Sequence, residues 1–370
     1  MTNIEIAKLQ LCNFRNYKSK TLNFSRKINV FLGKNGAGKT NILESISLLK
    51  KGSGLKKADI CDMICSSSDI KDTFSIYAQI NNHPEIDEIG TSYREEKRIF
   101  QINGKKISSY TNEIPIIHLI PQMDDLFSDN KSNRRSFLDK ITANIYPSHK
   151  SNLNNYAKYL KERMSLLEKY LFAKKDTSQY SSWIDIVEKK ISEIGIIIAA
   201  NRNDMIDYLN KAILMSKSGF TKSKLHIIGD VEEFAMKNTA IITENFFQNK
   251  LKENRRKDFE RQRAAFGVHR SDFSAILNDN MEAKSCSTGE QKSILIAIIF
   301  AVIRIFQVKN LEAPILLLDE ITSHLDDKKR RDLYDEIFSL NVQTFLTGTE
   351  RYLFSDFTED NVEFIDLTSH

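Results

Sequence analysis

The chain has 370 residues, of which 41% are hydrophobic and 28% charged, with a net charge of +5. This length and composition predict about two globular domains and exclude a chain without a core. Eighteen consecutive apolar residues occur nowhere, and residues 1–5 lack the layout of a secretory signal, so a cytoplasmic protein with no membrane partner is expected. The four cysteines have no matching Cys or His pair nearby, which favours reduced thiols over zinc or a disulfide.

The first elements form the context of a phosphate-binding loop. Residues 4–11 alternate like a strand, residues 29–32 form a short apolar strand, and residues 41–49 suit a helix. Between the last two, the pattern G-x-x-x-x-G-K-[ST] is complete in Gly33, Lys34, Asn35, Gly36, Ala37, Gly38, Lys39 and Thr40. In a P-loop, backbone N–H groups face the phosphates, while Lys39 adds a charge and Thr40 a hydroxyl for Mg²⁺. The sequence therefore predicts a bound nucleoside triphosphate, ATP, with Mg²⁺.

The pattern then changes from strands to helices. Residues 74–80, 92–102 and 105–107 are predicted β pieces, with a hairpin turn at Asn103 and Gly104, and residues 116–120 predict a further strand. From about residue 130, apolar residues recur at helical spacing over 153–171 and 184–212. These stripes predict a core between two antiparallel helices, joined by the polar residues 174–178.

An acidic strand follows near the other end. The apolar residues 315–318 lead into Asp319 and Glu320, which predicts a buried parallel strand delivering two carboxylates to the phosphate end of the sheet. Asp319 is expected to hold Mg²⁺, and Glu320 to orient or deprotonate the attacking water. The expected fold is α/β, with a split head formed by residues 1–128 and 264–370 and an inserted, mainly helical lobe formed by residues 129–263.

A third motif precedes the long apolar helix predicted over residues 293–306. Ser287 and Gly289 lie at its N-terminus, where they offer either a second phosphate-binding surface or an ordinary helix cap. Together with the P-loop and the acidic strand, this segment resembles the signature loop of ABC-type ATPases. The resemblance implies that Ser287 and Gly289 serve the γ-phosphate of a nucleotide held by the opposite subunit of a dimer.

The same resemblance assigns roles to three more segments. Gln122 lies where ABC-type heads have a loop whose Gln reaches the metal, although a plain turn residue after proline is the alternative. Residues 323–326 are similar to the D-loop, which crosses the dimer seam. Thr347 lies after the last strand, where transporter-type members have a His, and is a candidate sensor of the γ-phosphate.

Basic residues are densest over residues 250–257. As candidate DNA contacts we name Arg255, Arg256 and Lys257, and as a second group Arg134 and Arg135. Acidic residues within one helical turn leave a solvated helix face as an equal alternative.

Three segments resemble one family closely. Residues 9–17 resemble L-x-L-x-N-F-R-N-Y, residues 134–139 resemble R-R-x-F-L-D, and residues 266–272 resemble G-P-H-R-D-D of the bacterial RecF family of recombination and repair ATPases. The resemblance implies an ABC-type ATPase head that dimerises on ATP and binds DNA, both duplex and single-strand/duplex junctions. It also implies joint action with RecR and RecO in loading recombinase, replication restart and the SOS response, with slow, DNA-stimulated ATP hydrolysis releasing the clamp. Arg15 either faces the phosphates or is a surface pairing residue.

Four residues depart from the family pattern: Val268 replaces Pro, Ser271 replaces Asp, Glu320 replaces a second Asp, and His324 replaces Glu. Three other functions fit less well. A transporter-associated ATPase predicts a switch His and no insertion of this size, and a nuclease subunit predicts a second acidic cluster. A non-catalytic scaffold is disfavoured because Lys39, Thr40 and both carboxylates are present.

Overall fold

The computed structural model describes residues 3–52, 54–56, 58–68, 72–107, 114–172, 178–216, 219–220, 222–278, 280–323, 325–357 and 360–367. The chain forms two compact units. The first unit comprises Met1–Asp124, Ser216–Phe220 and Leu295–His370, and the second comprises Asp125–Met215 and Thr221–Ile294. The domain boundaries expected from the sequence, after residues 128 and 263, stay a prediction.

Strands and helices are numbered in chain order. The strands are β1 (Glu5–Phe14), β2 (Tyr17–Asn23), β3 (Ile28–Leu32), β4 (Phe74–Asn81), β5 (Glu88–Arg94), β6 (Lys97–Ile102), β7 (Lys105–Ile107), β8 (Ile116–Leu119), β9 (Ser223–Ile228), β10 (Asp272–Leu277), β11 (Met281–Glu282), β12 (Ile315–Leu318), β13 (Thr344–Gly348) and β14 (Val362–Asp366). The helices are α1 (Lys39–Ser47), α2 (Lys131–Ile145), α3 (His149–Phe172), α4 (Ser178–Met215), α5 (Asp230–Ala235), α6 (Ala240–Glu253), α7 (Arg255–Arg261), α8 (Thr288–Val308) and α9 (Asp327–Leu340).

A parallel sheet in the first unit positions the P-loop. Its strand order is β14-β3-β13-β12-β8, and every neighbouring pair is parallel. The central strands β3, β12 and β13 are buried along their whole length, as expected for a parallel sheet whose two faces are both covered. Burial of a side chain such as Phe31 or Phe345 contributes roughly 1.5–3 kcal/mol. The P-loop strand β3 and the acidic strand β12 are separated by β13.

An antiparallel sheet completes the first unit, with the order β2-β1-β4-β5-β6-β7. The hairpin predicted at Asn103 and Gly104 is confirmed, since both residues have positive φ and Ile102 pairs with Lys105 across a two-residue turn. The single β piece predicted over residues 92–102 is wrong. Glu95 and Glu96 break it into β5 and β6, with φ of 52° and 58° in a tight turn that a pair of glutamates does not signal.

The second unit is mainly helical. Helices α3 and α4 carry the two predicted apolar stripes, and Tyr156, Leu167, Ile184, Ile191 and Ile198 are buried in one cluster. The stripes are therefore core, as predicted. Of the predicted connection, residues 174–177 lie outside the described residues, as does the side chain of Leu171. The strands β9, β10 and β11 form a small antiparallel sheet in this unit.

Two fully buried arginines hold the helices of the second unit together. Arg163 on α3 donates to Glu188 on α4 at 2.9 Å and to Asp258 on α7 at 2.7 Å. Arg202 on α4 donates to Asp139 on α2 twice, at 2.8 Å, and to Glu232 on α5 at 2.7 Å. Buried charges are tolerated only when they are paired in this way.

Helix α8 is apolar enough to be compared with a membrane span. Among the described residues, α8 is the single helix that is long and apolar enough to cross a membrane. However, 83% of that stretch is buried inside the protein, as in the core helix of a globular fold.

Candidate nucleotide-binding site

The P-loop lies between β3 and α1, at the carboxyl edge of the parallel sheet. Gly36 and Gly38 have φ of 86° and 96°, a left-handed conformation that glycine adopts without strain. A Cβ on Gly38 would collide with the hydroxyl of Tyr17 and the side-chain amide of Asn16, so any other residue would force these side chains to move. The loop thereby curls tightly ahead of the helix N-terminus, as a phosphate site requires.

Lys39 is the buried cation of this loop. Its Nζ donates to the carbonyl oxygens of Gly33, at 2.5 Å, and Lys34, at 3.1 Å. Burial lowers the pKa of Lys39, while the nearby charges of Glu320 and Asp319 act in the opposite direction. An ammonium whose hydrogen bonds go to two carbonyl oxygens of its own loop is well placed to exchange them for a phosphate oxygen. These residues therefore fit a triphosphate.

Thr40 and Asp319 meet although 279 residues separate them in the chain. The hydroxyl of Thr40 donates to both carboxylate oxygens of Asp319, at 3.0 and 3.1 Å. Because both side chains supply oxygen atoms, they suit a hard cation such as Mg²⁺. The described residues contain no group of three or more His, Cys, Asp or Glu side chains that would hold a metal alone.

Glu320 occupies a sharp turn immediately after β12. Its φ of 48° lies in the left-handed region, which is uncommon for residues other than glycine, asparagine and aspartate. The backbone N–H of Glu320 donates to the hydroxyl of Thr347 at 2.8 Å, and its carbonyl accepts from the hydroxyl of Ser323 at 2.6 Å. The turn leaves the side chain half-buried, beside Asp319. A role for Glu320 in catalysis stays a prediction.

Arg15 lies beside the P-loop helix and is paired there. It donates to the two carboxylate oxygens of Glu44 on α1, each at 2.8 Å, and to the carbonyl of Asp62 at 2.8 Å. Glu44 is completely buried, so this bidentate pair ties the turn between β1 and β2 to α1. Glu44 was missed from the sequence, although an acid in an otherwise apolar helical stretch hints at a buried partner. Contact of Arg15 with phosphates stays a prediction.

Ser287 and Gly289 lie at the start of α8, in the second unit. The backbone N–H of Ser287 donates to the carboxylate of Glu290 at 2.8 Å, and the backbone N–H of Glu290 donates to the hydroxyl oxygen of Ser287 at 3.4 Å, which together form a capping box. Among the described residues beyond its chain neighbours and its own helix backbone, none has a heavy atom within 4 Å of a Cβ placed on Gly289. Gln122 is exposed in the turn that follows β8, the neighbour of the acidic strand. Binding of phosphate by Ser287 and Gly289, and of metal by Gln122, stays a prediction.

Comparisons with known proteins give the family. A family model described as "RecF/RecN/SMC N terminal domain" matches residues 5–365. The DNA replication and repair protein RecF of Rhizobium rhizogenes is 34% identical over 360 residues, covering 95% of this chain and 93% of the relative. The chain belongs to the RecF family. The RecF protein of Rickettsia canadensis is 38% identical over 357 residues, covering 94% of this chain and 95% of that protein.

Solved structures agree on the fold. "Structure of the recombination mediator protein RecF-ATPrS in RecFOR pathway" has a TM-score of 0.80 and 23% identity, with 97% of both chains covered. The corresponding RecF-ATP structure has a TM-score of 0.79, also at 23% identity, with 94% of both chains covered. An Smc head domain from Pyrococcus furiosus has a TM-score of 0.51 at 17% identity, covering 95% of this chain and 92% of that chain. The predicted ABC-type ATPase head with an inserted helical lobe is therefore confirmed as the fold class.

Two segments that carry the resemblance to the RecF family contact each other in the second unit. Arg134 on α2 makes two hydrogen bonds of 2.8 Å to the carboxylate of Asp272, and Arg135 donates to the carbonyl of Ser271 at 2.8 Å. Ser271 in turn donates to Glu232, whose two oxygens both lie 2.7 Å from its hydroxyl. These contacts fix the segment of residues 266–272 against α2. A DNA-binding role for Arg134 and Arg135 stays a prediction.

The other candidate DNA contacts, Arg255, Arg256 and Lys257, differ in burial and in the ion pairs that they form within the protein. Arg255 is mostly buried and donates to Asp185, at 2.6 Å, and to Glu188. Arg256 is 88% exposed and pairs with Glu260 one turn along α7, and Lys257 is exposed. All three stay predicted DNA contacts, although Arg256 and Lys257 present more charge to solvent. The departure at His324 lies outside the described residues.

Proposed function

We propose that this chain is an ATP-dependent DNA-binding protein of recombinational repair, which hydrolyses ATP slowly as a homodimer. One observation carries the proposal: Lys39, Thr40, Asp319 and Glu320 lie together at the carboxyl edge of one parallel sheet. Charged groups from two distant segments converge there around a loop shaped for phosphate. This is the arrangement that phosphoryl transfer needs, because its catalysis depends chiefly on positioning and electrostatics.

ATP and Mg²⁺ are the proposed cofactors. The glycine-rich loop and Lys39 would hold the phosphates, and Thr40 and Asp319 would hold Mg²⁺, with Gln122 as a further ligand. When bound, Mg²⁺ neutralises charge on the phosphate oxygens. Two structures of RecF relatives are described with ATP or ATPrS, which supports the choice of nucleotide.

Glu320 is the proposed base. Its carboxylate would accept a hydrogen bond from the attacking water and hold that water in line with the γ-phosphate. Ser287 and Gly289 of a second copy would close on the same phosphate from the other side. Each site would then be complete only in the dimer, and hydrolysis would return the dimer to its open state.

DNA is the proposed macromolecular partner, as duplex and as single-strand/duplex junctions. The relatives are DNA replication and repair proteins, and the chain carries a net charge of +5. The solved relatives are described as components of the RecFOR pathway, which supports RecO and RecR as partners. We propose a cytoplasmic location and a contribution to the SOS response on the same basis.

The deciding experiment measures steady-state ATP hydrolysis per subunit over a range of protein concentrations, with and without duplex DNA. Wild type is compared with Glu320→Gln and with Glu193→Gln, which makes the same chemical change at a partly exposed side chain of α4. A rate that rises with protein concentration and DNA, and that only Glu320→Gln abolishes, supports a composite site. A rate indifferent to concentration points to a self-contained enzyme and contradicts the proposal.

Charge reversal at the exposed Arg256 and Lys257 tests the DNA contacts separately. DNA affinity should fall, and the dependence of that affinity on salt should become shallower, because fewer counterions are released on binding. Unchanged affinity and an unchanged salt slope would remove this helix from the DNA surface.

A further inference from the structure

The strand order of the parallel sheet places one side chain between the two halves of the nucleotide site. Strand β13 lies between the P-loop strand β3 and the acidic strand β12. The penultimate residue of β13 is Thr347, which pairs with Phe31, two residues before Gly33. Thr347 is completely buried. Its hydroxyl is therefore buried at the carboxyl edge of the sheet, between the P-loop and the turn of Asp319 and Glu320, which we call the acidic turn.

The hydroxyl of Thr347 has two partners on the acidic turn. It donates its hydrogen to Oδ1 of Asp319 at 2.8 Å, and it accepts the backbone N–H of Glu320 at 2.8 Å. Asp319 also accepts from Thr40, so its carboxylate is held from both sides. The N–H of Glu320 belongs to a residue in the left-handed conformation, which persists only when its surroundings hold it there.

We propose that Thr347 is a positioning residue for ATP hydrolysis, which sets the orientation of Asp319 and the turn that aims Glu320. This inference rests on the proposed function. In the arrangement seen, the one hydroxyl hydrogen of Thr347 points to Asp319, so none remains for a phosphate oxygen. The residue acts through the two carboxylates, and its effect should therefore appear in catalysis and in the requirement for Mg²⁺.

The same strand provides a matched control. Thr344 is also completely buried on β13, but its hydroxyl donates to the carbonyl of Val342 at 3.2 Å. Side chains three residues apart on a strand point to opposite faces of the sheet. Thr344→Val therefore makes the same chemical change as Thr347→Val in the same strand, away from the acidic turn.

The experiment compares wild type, Thr347→Val, Thr347→Ser and Thr344→Val. Two quantities are compared: the rate of single-turnover ATP hydrolysis, and the Mg²⁺ concentration for half-maximal binding of a fluorescent ATP analogue. The affinity for that analogue at saturating Mg²⁺ serves as the control. Thr347→Val should lower the hydrolysis rate by about 10- to 100-fold, the loss typical of a hydrogen bond to a charged group. It should also raise the Mg²⁺ concentration needed for half-maximal binding several-fold. At saturating Mg²⁺, the affinity for the nucleotide should stay within about threefold of wild type.

Thr347→Ser keeps the hydroxyl and should restore both quantities to within about threefold of wild type, while Thr344→Val should change neither. If Thr347→Val proves unstable, the pair Thr347→Ala and Thr347→Ser still differs by the hydroxyl alone. Hydrolysis and Mg²⁺ dependence that match wild type in the folded Val or Ala variant would overturn the proposal. So would equal losses in Thr344→Val, since the effect would then be general to the strand.

Glu320→Gln separates this inference from the proposed function. If Glu320→Gln abolishes ATP hydrolysis while Thr347→Val hydrolyses ATP at the wild-type rate, only the positioning role fails. If wild type does not hydrolyse ATP, the proposed function fails, and the Mg²⁺ titration still tests whether Thr347 orients Asp319.

Discussion

Removing the charge of Arg202 should destabilise the second unit more than any exposed substitution. Arg202 is 1% exposed and makes hydrogen bonds of 2.7–2.8 Å to Asp139, to Glu232 and to the carbonyl of Val268. Arg202→Met keeps much of the side-chain volume but leaves two carboxylates in the interior without their cation. Breaking a buried pair from one side costs about 3–5 kcal/mol. That is a large share of the 5–15 kcal/mol typical of a folded domain.

The chain offers a direct assay, because its single tryptophan, Trp183, lies on the same helix as Arg202. Tryptophan fluorescence during urea unfolding therefore reports on the unit that the substitution affects. With a typical slope of about 2 kcal/mol per molar urea, the midpoint should fall by roughly 1.5–2.5 M. The control is Arg256→Met, whose side chain is 88% exposed, and it should cost no more than about 0.5 kcal/mol.

The pH dependence gives a second check on the same variant. Burial acts to raise the pKa of Asp139, but hydrogen bonds from His149 and Arg202 outweigh it and the pKa is lowered. A lowered carboxyl pKa stabilises the folded state above the unfolded value, near 3.8, and this stabilisation is lost as the pH falls below it. The difference between wild type and Arg202→Met should therefore narrow as the pH falls toward 4 and below. A midpoint within about 0.3 M of wild type at pH 7, which is close to the error of such fits, would refute the reasoning.

Three further predictions follow from single contacts. Burial lowers the pKa of His269 to about 4, so the unfolded chain takes up a proton before the folded one and the free energy of unfolding should fall by about 3 kcal/mol as the pH drops from 6.5 to 4. In urea unfolding, His269→Asn should make this fall shallower. The same dependence of stability on pH in wild type and variant would contradict the prediction. Gly38→Ala should weaken binding of a fluorescent ATP analogue more than tenfold and Gly36→Ala less. A left-handed φ strains alanine at both positions, but only at Gly38 does the added Cβ also collide, so equal losses would refute the steric argument. Ser271→Asp should lower the free energy of unfolding at pH 7 by about 2–3 kcal/mol, because it places a carboxylate against Glu232, while Ser271→Ala should lower it by about 1 kcal/mol. Urea unfolding measures both, and an Asp variant as stable as wild type would show that the segment of residues 266–272 rearranges.

The sequence determined the local parts of the site and of the core. The P-loop glycines, Lys39 and Thr40 are recognisable because a phosphate cradle needs those residue types at fixed spacing between a strand and a helix. The buried faces of α3 and α4 were recognisable for a similar reason, since a helix repeats every 3.6 residues and its apolar side chains mark the face that packs. Asp319 and Glu320 stood out because they end an apolar strand in a chain that also carries a complete P-loop, and the two motifs support each other.

Tertiary structure alone decided which distant groups meet. Arg134 was a candidate DNA contact in the sequence, yet its guanidinium is held by Asp272, 138 residues away. Thr347 was expected after the last strand, as a candidate sensor of the γ-phosphate. That placement was wrong, because Thr347 lies within β13 and β14 follows it, and only the order of the sheet put it between the P-loop and the turn of Asp319 and Glu320. Periodicity records whether a side chain is buried, because burial depends on one face of one element. The partner of a buried polar group depends on how several elements pack, and no single stretch of sequence contains that information.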